Sequence, residues 1–180
     1  VQGCVLTIGN FDGVHLGHQK ILRIGKELAL GDHVALVAMT FEPPPDLVLR
    51  PQDPPKRLTP IERKVELLGE AGADFVVLAP STKELLGLEP DAFLQDVIQG
   101  RFAPWYVVEG PNFFFGRKRA GTIETLEEYG RAKCFQVRQI ETLMMEVAGE
   151  TQRVCSTLIR ALVAEGNVEE AARCLSRPYT

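Results

Sequence analysis

A chain of 180 residues that is 45% hydrophobic and 24% charged buries a full core in one compact domain, or in one domain plus a small extension, and is neither disordered nor a coiled coil. Its formal net charge of −4 offers no general attraction to nucleic acid, so a site for a polyanion must be local. Cys4, Cys134, Cys155 and Cys174 are scattered without a Cys-x-x-Cys pair, which argues against zinc and a disulfide framework. No apolar run reaches the ~20 residues that cross a bilayer, and no signal peptide opens the chain. The expectation is a soluble, unprocessed, cytoplasmic protein with reduced thiols, bound neither to membrane nor to nucleic acid.

Residues 5–8 are short, apolar and β-branched, a strand followed by Gly9 and Gly13, which permit a tight turn. Residues 17–30 carry Ile21, Leu22, Ile24, Leu28 and Ala29 at helical spacing, with Gly31 as the C-cap. A buried strand over 33–40 completes a βαβ unit, whose handedness makes a parallel sheet the product. Phe41-Glu42-Pro43-Pro44-Pro45 stops it, and an irregular loop runs to about Thr59. Thr59 is expected to cap a helix with Pro60 in its first turn and Glu62 at capping-box spacing, running toward Gly72.

A strand follows at 75–78, then a helix at 90–98 with Phe93, Leu94, Val97 and Ile98 as its buried stripe, then a strand at 105–108. A helix at 123–131, a strand at 135–140, a hairpin over 142–154 turning near Gly149, and helices at 156–165 and 168–175 finish the chain. This alternation predicts an α/β fold over residues 1–180: a Rossmann-like doubly wound parallel sheet with helices on both faces, a small β-hairpin and C-terminal helices. Ligands of such sheets bind beyond the strand C-termini, where His15, Pro43, Gly110 and Ser156 emerge.

The stretch Ile8-Gly9-Asn10-Phe11-Asp12-Gly13-Val14-His15-Leu16-Gly17-His18 sets two imidazoles three residues apart where a strand turns into a helix. Free N–H groups and the dipole make a helix N-terminus an anion site, and residues three apart share a face, so both rings reach one ligand. Neither a Walker loop nor a dinucleotide fingerprint is present. The His-x-Gly-His pattern resembles the superfamily of nucleotidyltransferases, which move a nucleoside monophosphate from a nucleoside triphosphate.

Three further stretches carry polar chemistry. Glu109 through Gly121 interleaves Phe113, Phe114 and Phe115 with glycines and with Arg117, Lys118 and Arg119. It is either a loop folded over the core or a ligand slot in which Arg117 or Arg119 neutralises phosphate and Asn112 contacts ligand or a metal-bound water. Val154 through Arg160 places Ser156 and Thr157 at a helix start and Arg160 one turn later, as a simple N-cap or as a grip on a phosphate tail. The rigid run from Thr40 to Pro45 is a stiff connector or an edge, through Phe41, of a pocket for a planar ligand.

In this order the four stretches, with the closing Gly166-Asn167-Val168-Glu169 to Arg177-Pro178-Tyr179, resemble the FMN adenylyltransferase module of prokaryotic bifunctional FAD synthetases. The resemblance implies Mg2+-dependent transfer of AMP from ATP to FMN, giving FAD and pyrophosphate. It assigns His15, His18, Ser156, Thr157 and Arg160 to catalysis, with Arg160 holding the leaving pyrophosphate. Gly9, Asn10, Phe11, Asp12, Gly13, Gly17, Gly110, Asn112 and Gly116 fall to ATP. Thr40, Phe41, Pro43, Pro45, Phe113, Arg117, Arg119 and Gly121 fall to the flavin. Asp12 and Asn112 are the candidate metal contacts. Family members often carry histidine at Pro44, arginine at Phe114 and Leu158, and serine at Cys155. No Pro-Thr-Ala-Asn kinase motif is found, so the riboflavin kinase module that follows in relatives is not expected within the chain. Two alternatives stand beside this reading: a related transferase acting on pantetheine phosphate, nicotinamide mononucleotide or an alditol phosphate, and an impaired flavin- or nucleotide-binding domain.

Overall fold

The computed structural model describes residues 2–179, so Val1 and Thr180, the ends of the expected domain, lie outside the described residues. Five parallel strands, β1 (Val5–Ile8), β2 (Leu36–Phe41), β3 (Phe75–Ala79), β4 (Tyr106–Glu109) and β5 (Gln136–Gln139), lie in the order β3-β2-β1-β4-β5. The chain walks outward from β1 to β3, then crosses back to place β4 on the other side of β1. That reversal is a topological switch point, and it opens a crevice above the C-termini of β1 and β4.

Side-chain alternation along the strands builds a core on each face. Leu6, Ile8, Val37, Met39 and Val107 pack with Phe93, Leu94, Ile98 and Leu126. Val5, Leu36, Ala38 and Val108 pack with Leu22, Ala29, Leu67 and Leu68. The second face is covered by α1 (Leu16–Gly31) and α3 (Ile61–Glu70), and the first by α6 (Ile123–Lys133) and a helix rising from Pro90. α1 lies close on the sheet because Gly25 has no side chain: a Cβ there would stand 2.8 Å from Leu36 Cδ1.

A third cluster joins Leu58 to the hairpin β6 (Met144–Val147) and β7 (Glu150–Arg153), and to α7 (Ser156–Ala164) and α8 (Val168–Leu175). The doubly wound architecture, the hairpin and the C-terminal helices are as the alternation predicts.

Several local expectations are corrected. The loop after β2 contains a short helix, α2 (Pro45–Leu49), because Pro44 and Pro45 suit a helix start even as they end a strand. A further turn, α4 (Lys83–Leu86), is capped by Thr82, whose hydroxyl accepts from the Leu85 N–H. Thr59 caps nothing: Pro60 occupies the N-cap of α3, and the Thr59 N–H donates to Asp12 at 3.2 Å instead. Gly31 is the last helical residue of α1, with Asp32 as C-cap. The helix at Pro90 runs past residue 98: α5 (Pro90–Ala92) widens into a π-helix, Phe93–Phe102, that ends at Ala103 with φ +39°.

Candidate active site

The loop after β1 turns sharply. Phe11, Gly13 and Val14 have φ of 47°, 84° and 39°, and Phe11 folds its ring back over Gly9. Left-handed backbone at non-glycine residues is held by surrounding structure. Here Asp12 does the holding. Its Oδ1 accepts from the N–H groups of Leu58 (3.0 Å) and Thr59 (3.2 Å), and its Oδ2 from Arg160 Nη2 at 2.6 Å. Ser156 Oγ donates to the Asp12 carbonyl at 2.8 Å, and Arg177 Nη2 to the Gly13 carbonyl at 2.7 Å.

His15 then caps α1, its Nδ1 accepting from the His18 N–H at 3.3 Å. With Nδ1 accepting, the ring proton belongs on Nε2, which makes that atom a donor. The His18 ring stacks on it, centroids 3.6 Å apart and planes 18° from parallel, while Phe11 meets His18 edge-on at 5.2 Å. Burial pushes His15 down to about 4, with Arg153 and Arg177 adding to the effect against a backbone hydrogen bond. Burial, then the charge of His15 and of Lys64, holds His18 well below the usual imidazole range. Both rings are neutral at pH 7, and His18 Nδ1 is buried without a partner among the described residues.

This pair has a consequence for stability. An unfolded histidine takes its proton near pH 6.5, whereas folded His15 takes it only near 4, so the unfolded state binds more protons between these values. The stability is fully present above pH 6.5 and is lost as pH falls toward 4. For His15 alone the loss is about 3 kcal/mol, at 1.36 kcal/mol per pKa unit. Urea denaturation of the ligand-free protein at pH 7.5 and 4.5 is expected to show it, and His15→Gln to show a shallower fall. Equal slopes in the two proteins would contradict this assignment.

Opposite His15, Cys155 caps α7, its Sγ accepting from the Leu158 N–H at 3.5 Å, so the thiol takes the capping place expected of Ser156 or Thr157. The two helix starts converge: a Cβ on Gly17 would stand 3.5 Å from the Val154 carbonyl oxygen. Two N-termini with free N–H groups facing one space make a strong anion site.

From there a cleft of about 1080 Å³ extends over the C-terminal ends of the strands. Gly9, Asn10, Phe11, His15, Gly17 and His18 line its phosphate end, with Cys155, Ser156 and Thr157 across from them. Phe41 and Pro45 form another wall, facing Gly110, Asn112, Phe113, Gly116, Arg117 and Arg119. Phe113 stacks on Phe115 at 5.4 Å, which packs on Phe93 at 5.6 Å. Arg119 lies over the exposed Phe114 ring at 4.8 Å, and Arg117 pairs with Glu89 at 3.1 Å. Gly116 has φ +70°, and a Cβ there would meet the Pro90 nitrogen at 2.9 Å, so only glycine brings this loop against α5.

Other expected site residues do not line the cleft. Asp12 spends its carboxylate on the Leu58 loop and Arg160, which makes it a loop stabiliser and not a free metal ligand. Gly13 is packed under Leu58 and Leu175. Thr40 is buried and donates to the Asn10 carbonyl at 3.2 Å. Pro43 follows a cis peptide bond and is exposed. Gly121 bridges Phe115 edge to edge, where a Cβ would come within 2.5 Å of that ring. Arg160 gives Nε to the Lys56 carbonyl at 2.7 Å and Nη2 to Asp12, so in this structure its guanidinium braces the loop from behind and does not face the cleft. Among the described residues no group of three or more His, Cys, Asp or Glu is placed to hold a metal.

Sequence reasoning named Glu109 only as the start of the 109–121 stretch, with no role, and missed Val48, Leu85, Leu86, Arg153 and the segment 140–143; all of these line the cleft. Only Glu109 left a signal, as a carboxylate closing an apolar strand directly before a glycine. The rest are ordinary residues brought in by α2, α4 and the hairpin.

The family model described as FAD synthetase matches residues 1–158. The chain belongs to the FAD synthetase family. Members of known name include the bifunctional riboflavin kinase/FMN adenylyltransferases of Buchnera aphidicola (31% identical over 97% of this chain and 55% of the relative) and Listeria monocytogenes (32% over 98% and 54%). The Escherichia coli protein of that name is 30% identical over 99% of this chain and 56% of its own length. The chain thus spans just over half the length of the curated relatives it matches. A solved structure titled macrolide-efflux protein from Streptococcus pneumoniae superposes with a TM-score of 0.86 at 26% identity, over 99% of this chain and 56% of that one. The FAD synthetase assignment agrees with the resemblance carried by the His15 and Ser156 stretches. Among the described residues no helix is long and apolar enough to cross a membrane.

Proposed function

We propose that the chain transfers AMP from Mg-ATP to FMN, giving FAD and pyrophosphate. The observation that carries this reading is one continuous cleft whose two ends differ in chemistry. At one end, two helix N-termini and a neutral histidine pair suit a polyphosphate; at the other, Phe41, Phe93 and Phe113 suit a flat ring. A phosphate oxygen of FMN attacks the α-phosphorus of ATP in line, the bond from that phosphorus to the bridging oxygen of the β-phosphate breaks, and pyrophosphate leaves. No covalent enzyme intermediate is required.

The protein positions and neutralises. His15 Nε2 and His18 donate to the phosphoryl oxygens as charge redistributes, and Thr157 with the N–H groups of α7 holds the β- and γ-phosphates. Ser156 donates to the loop carbonyl of Asp12 and, with Arg160, acts as a positioning residue. Bound Mg2+ would neutralise phosphate charge, and because it needs few protein ligands Asn112 of the cleft would suffice to contact it or its waters. The four free cysteines support a cytoplasmic setting. The names of the relatives support a riboflavin kinase module as partner, supplying the FMN.

Incubation with ATP, Mg2+ and FMN is expected to yield FAD and pyrophosphate in equal amounts by chromatography, with riboflavin, pantetheine phosphate and nicotinamide mononucleotide failing as acceptors. Adenylylation of one of those in preference to FMN would replace the flavin reading with another acceptor.

A further inference from the structure

The carboxyl of Glu109 sits where β1 and β4 part. Their pairing covers Val5 with Tyr106 and Leu6 with Val107, while β1 stays paired to β2 through Ile8. The Ile8 N–H therefore points into the opening crevice without a strand partner, and Glu109 Oε1 takes it at 2.6 Å together with the Thr7 hydroxyl at 3.4 Å. Both contacts fall on one oxygen. Oε2 has no hydrogen-bond partner among the described residues, although the residue is only 4% exposed and forms part of the cleft lining.

Burial pushes this carboxyl well above the usual carboxylate range, and only the Ile8 and Thr7 contacts oppose it. The packed elements bring no countercharge: Thr7 and Ile8 on β1, Gln139 opposite on β5, and Ile140, whose N–H donates to the Glu109 carbonyl. The titratable groups sharing the cleft are His15 and His18 of α1, Asp46 and Arg50 at α2, Lys83 of α4, Glu141 after β5, Arg153 of β7, Cys155 and the basic residues of the 117–119 turn. Burial without a paired cation favours the protonated acid over the carboxylate. Because Oε1 accepts twice, the proton belongs on Oε2, where it is a donor.

Alternation along β4 decides which part of the cleft it serves. Val107 packs with Phe93 and Phe115, and Val108 packs with α1. Glu109 leaves the strand on the Val107 face, its carboxyl reaches between β1 and β4 to Ile8 and Thr7, and it lines the same cleft as Phe93, Phe113 and Phe115. We propose that Glu109 is a specificity-determining residue whose Oε2–H donates from the cleft lining to a carbonyl oxygen or ring nitrogen of the planar heterocycle held by the aromatic wall. The identification of that heterocycle as a flavin rests on the function proposed above.

The test measures binding apart from turnover. Flavin fluorescence is titrated with FMN and riboflavin, and ATP binding is followed separately by calorimetry. E109L is expected to bind both flavins roughly tenfold more weakly with ATP affinity unchanged, the scale of one lost hydrogen bond to a buried group. E109Q keeps an acceptor for Ile8 and a neutral donor, so it is expected to stay within about threefold of the parent. As pH rises and Glu109 ionises, the parent is expected to lose flavin affinity, while E109Q holds its affinity level. Unchanged flavin binding in folded E109L, or equal weakening of flavin and ATP, overturns the proposal. If E109L does not fold, an alkaline loss persisting in E109Q overturns it as well. Flavin binding by the parent without FAD formation defeats the proposed reaction and leaves this contact standing, whereas FAD formation with Glu109-independent flavin binding does the reverse.

Discussion

His18→Ala is expected to lower the rate of FAD formation by about 10²- to 10³-fold, the scale seen when one preorganised donor to a developing charge is removed. The fold should not suffer with it. The His18 backbone N–H still caps onto His15 Nδ1, and what is lost besides the donor is the ring's contact with His15 and Phe11, a modest cost. The variant therefore separates chemistry from folding: turnover falls while the thermal midpoint stays near that of the parent. His15→Ala is a less clean probe, because it also removes the N-cap of α1, worth about 1 kcal/mol. Single-turnover measurements with saturating ATP and FMN provide the check, and a folded His18→Ala variant with near-parental rates would strip His18 of its role.

The second large effect is expected at Asp12. Its carboxylate carries two backbone N–H groups and the Arg160 guanidinium, in a pair whose side chains are 13% and 27% exposed. Asp12→Ala leaves Leu58 and Thr59 without acceptors and Arg160 without its partner. Loss of buried acceptors and of half of a partly buried ion pair costs about 3 kcal/mol, discounted from the value for a fully buried pair because Arg160 meets solvent. For a chain of this length that is a fall of about 6–12 °C in Tm. ATP affinity should drop with it, since the strained turn from Phe11 to Val14 loses its anchor. Asp12→Asn retains an oxygen and should show about half the loss. If Asp12→Ala melts like the parent yet binds no ATP, Asp12 contacts the nucleotide directly and the bracing role is wrong.

These two residues also mark how far the sequence could be read. The histidines were legible because strand, glycine turn and helix start are local signals, and a spacing of three fixes one helical face. The parallel, doubly wound sheet followed from alternation, whereas its strand order did not. Asp12 and Arg160 were placed at the ligand because both belong to motifs that meet at the phosphate end; that they turn toward each other depends on the Leu58 loop, 46 residues away in sequence. Thr59 and Glu62 offered a capping box, but Asp12 claims the Thr59 N–H first. Likewise α2 and α4 are too short for periodicity to reveal, so the wall they give the cleft was invisible. Gly121 looked like a ligand glycine and is a packing glycine, a distinction set by the Phe115 ring alone.

The bracing of the phosphate turn bears on the order in which the molecule is made. Asp12 and Gly13 are held by Ser156, Arg160 and Arg177, partners 144, 148 and 164 positions later. Local pairing can assemble β1, α1 and β2 early, whereas contacts this remote close late. A nascent chain can therefore own a complete sheet and still lack a nucleotide site. Ribosome-bound chains lengthened stepwise should gain ATP affinity abruptly once α7 and α8 have emerged, well after the sheet resists protease.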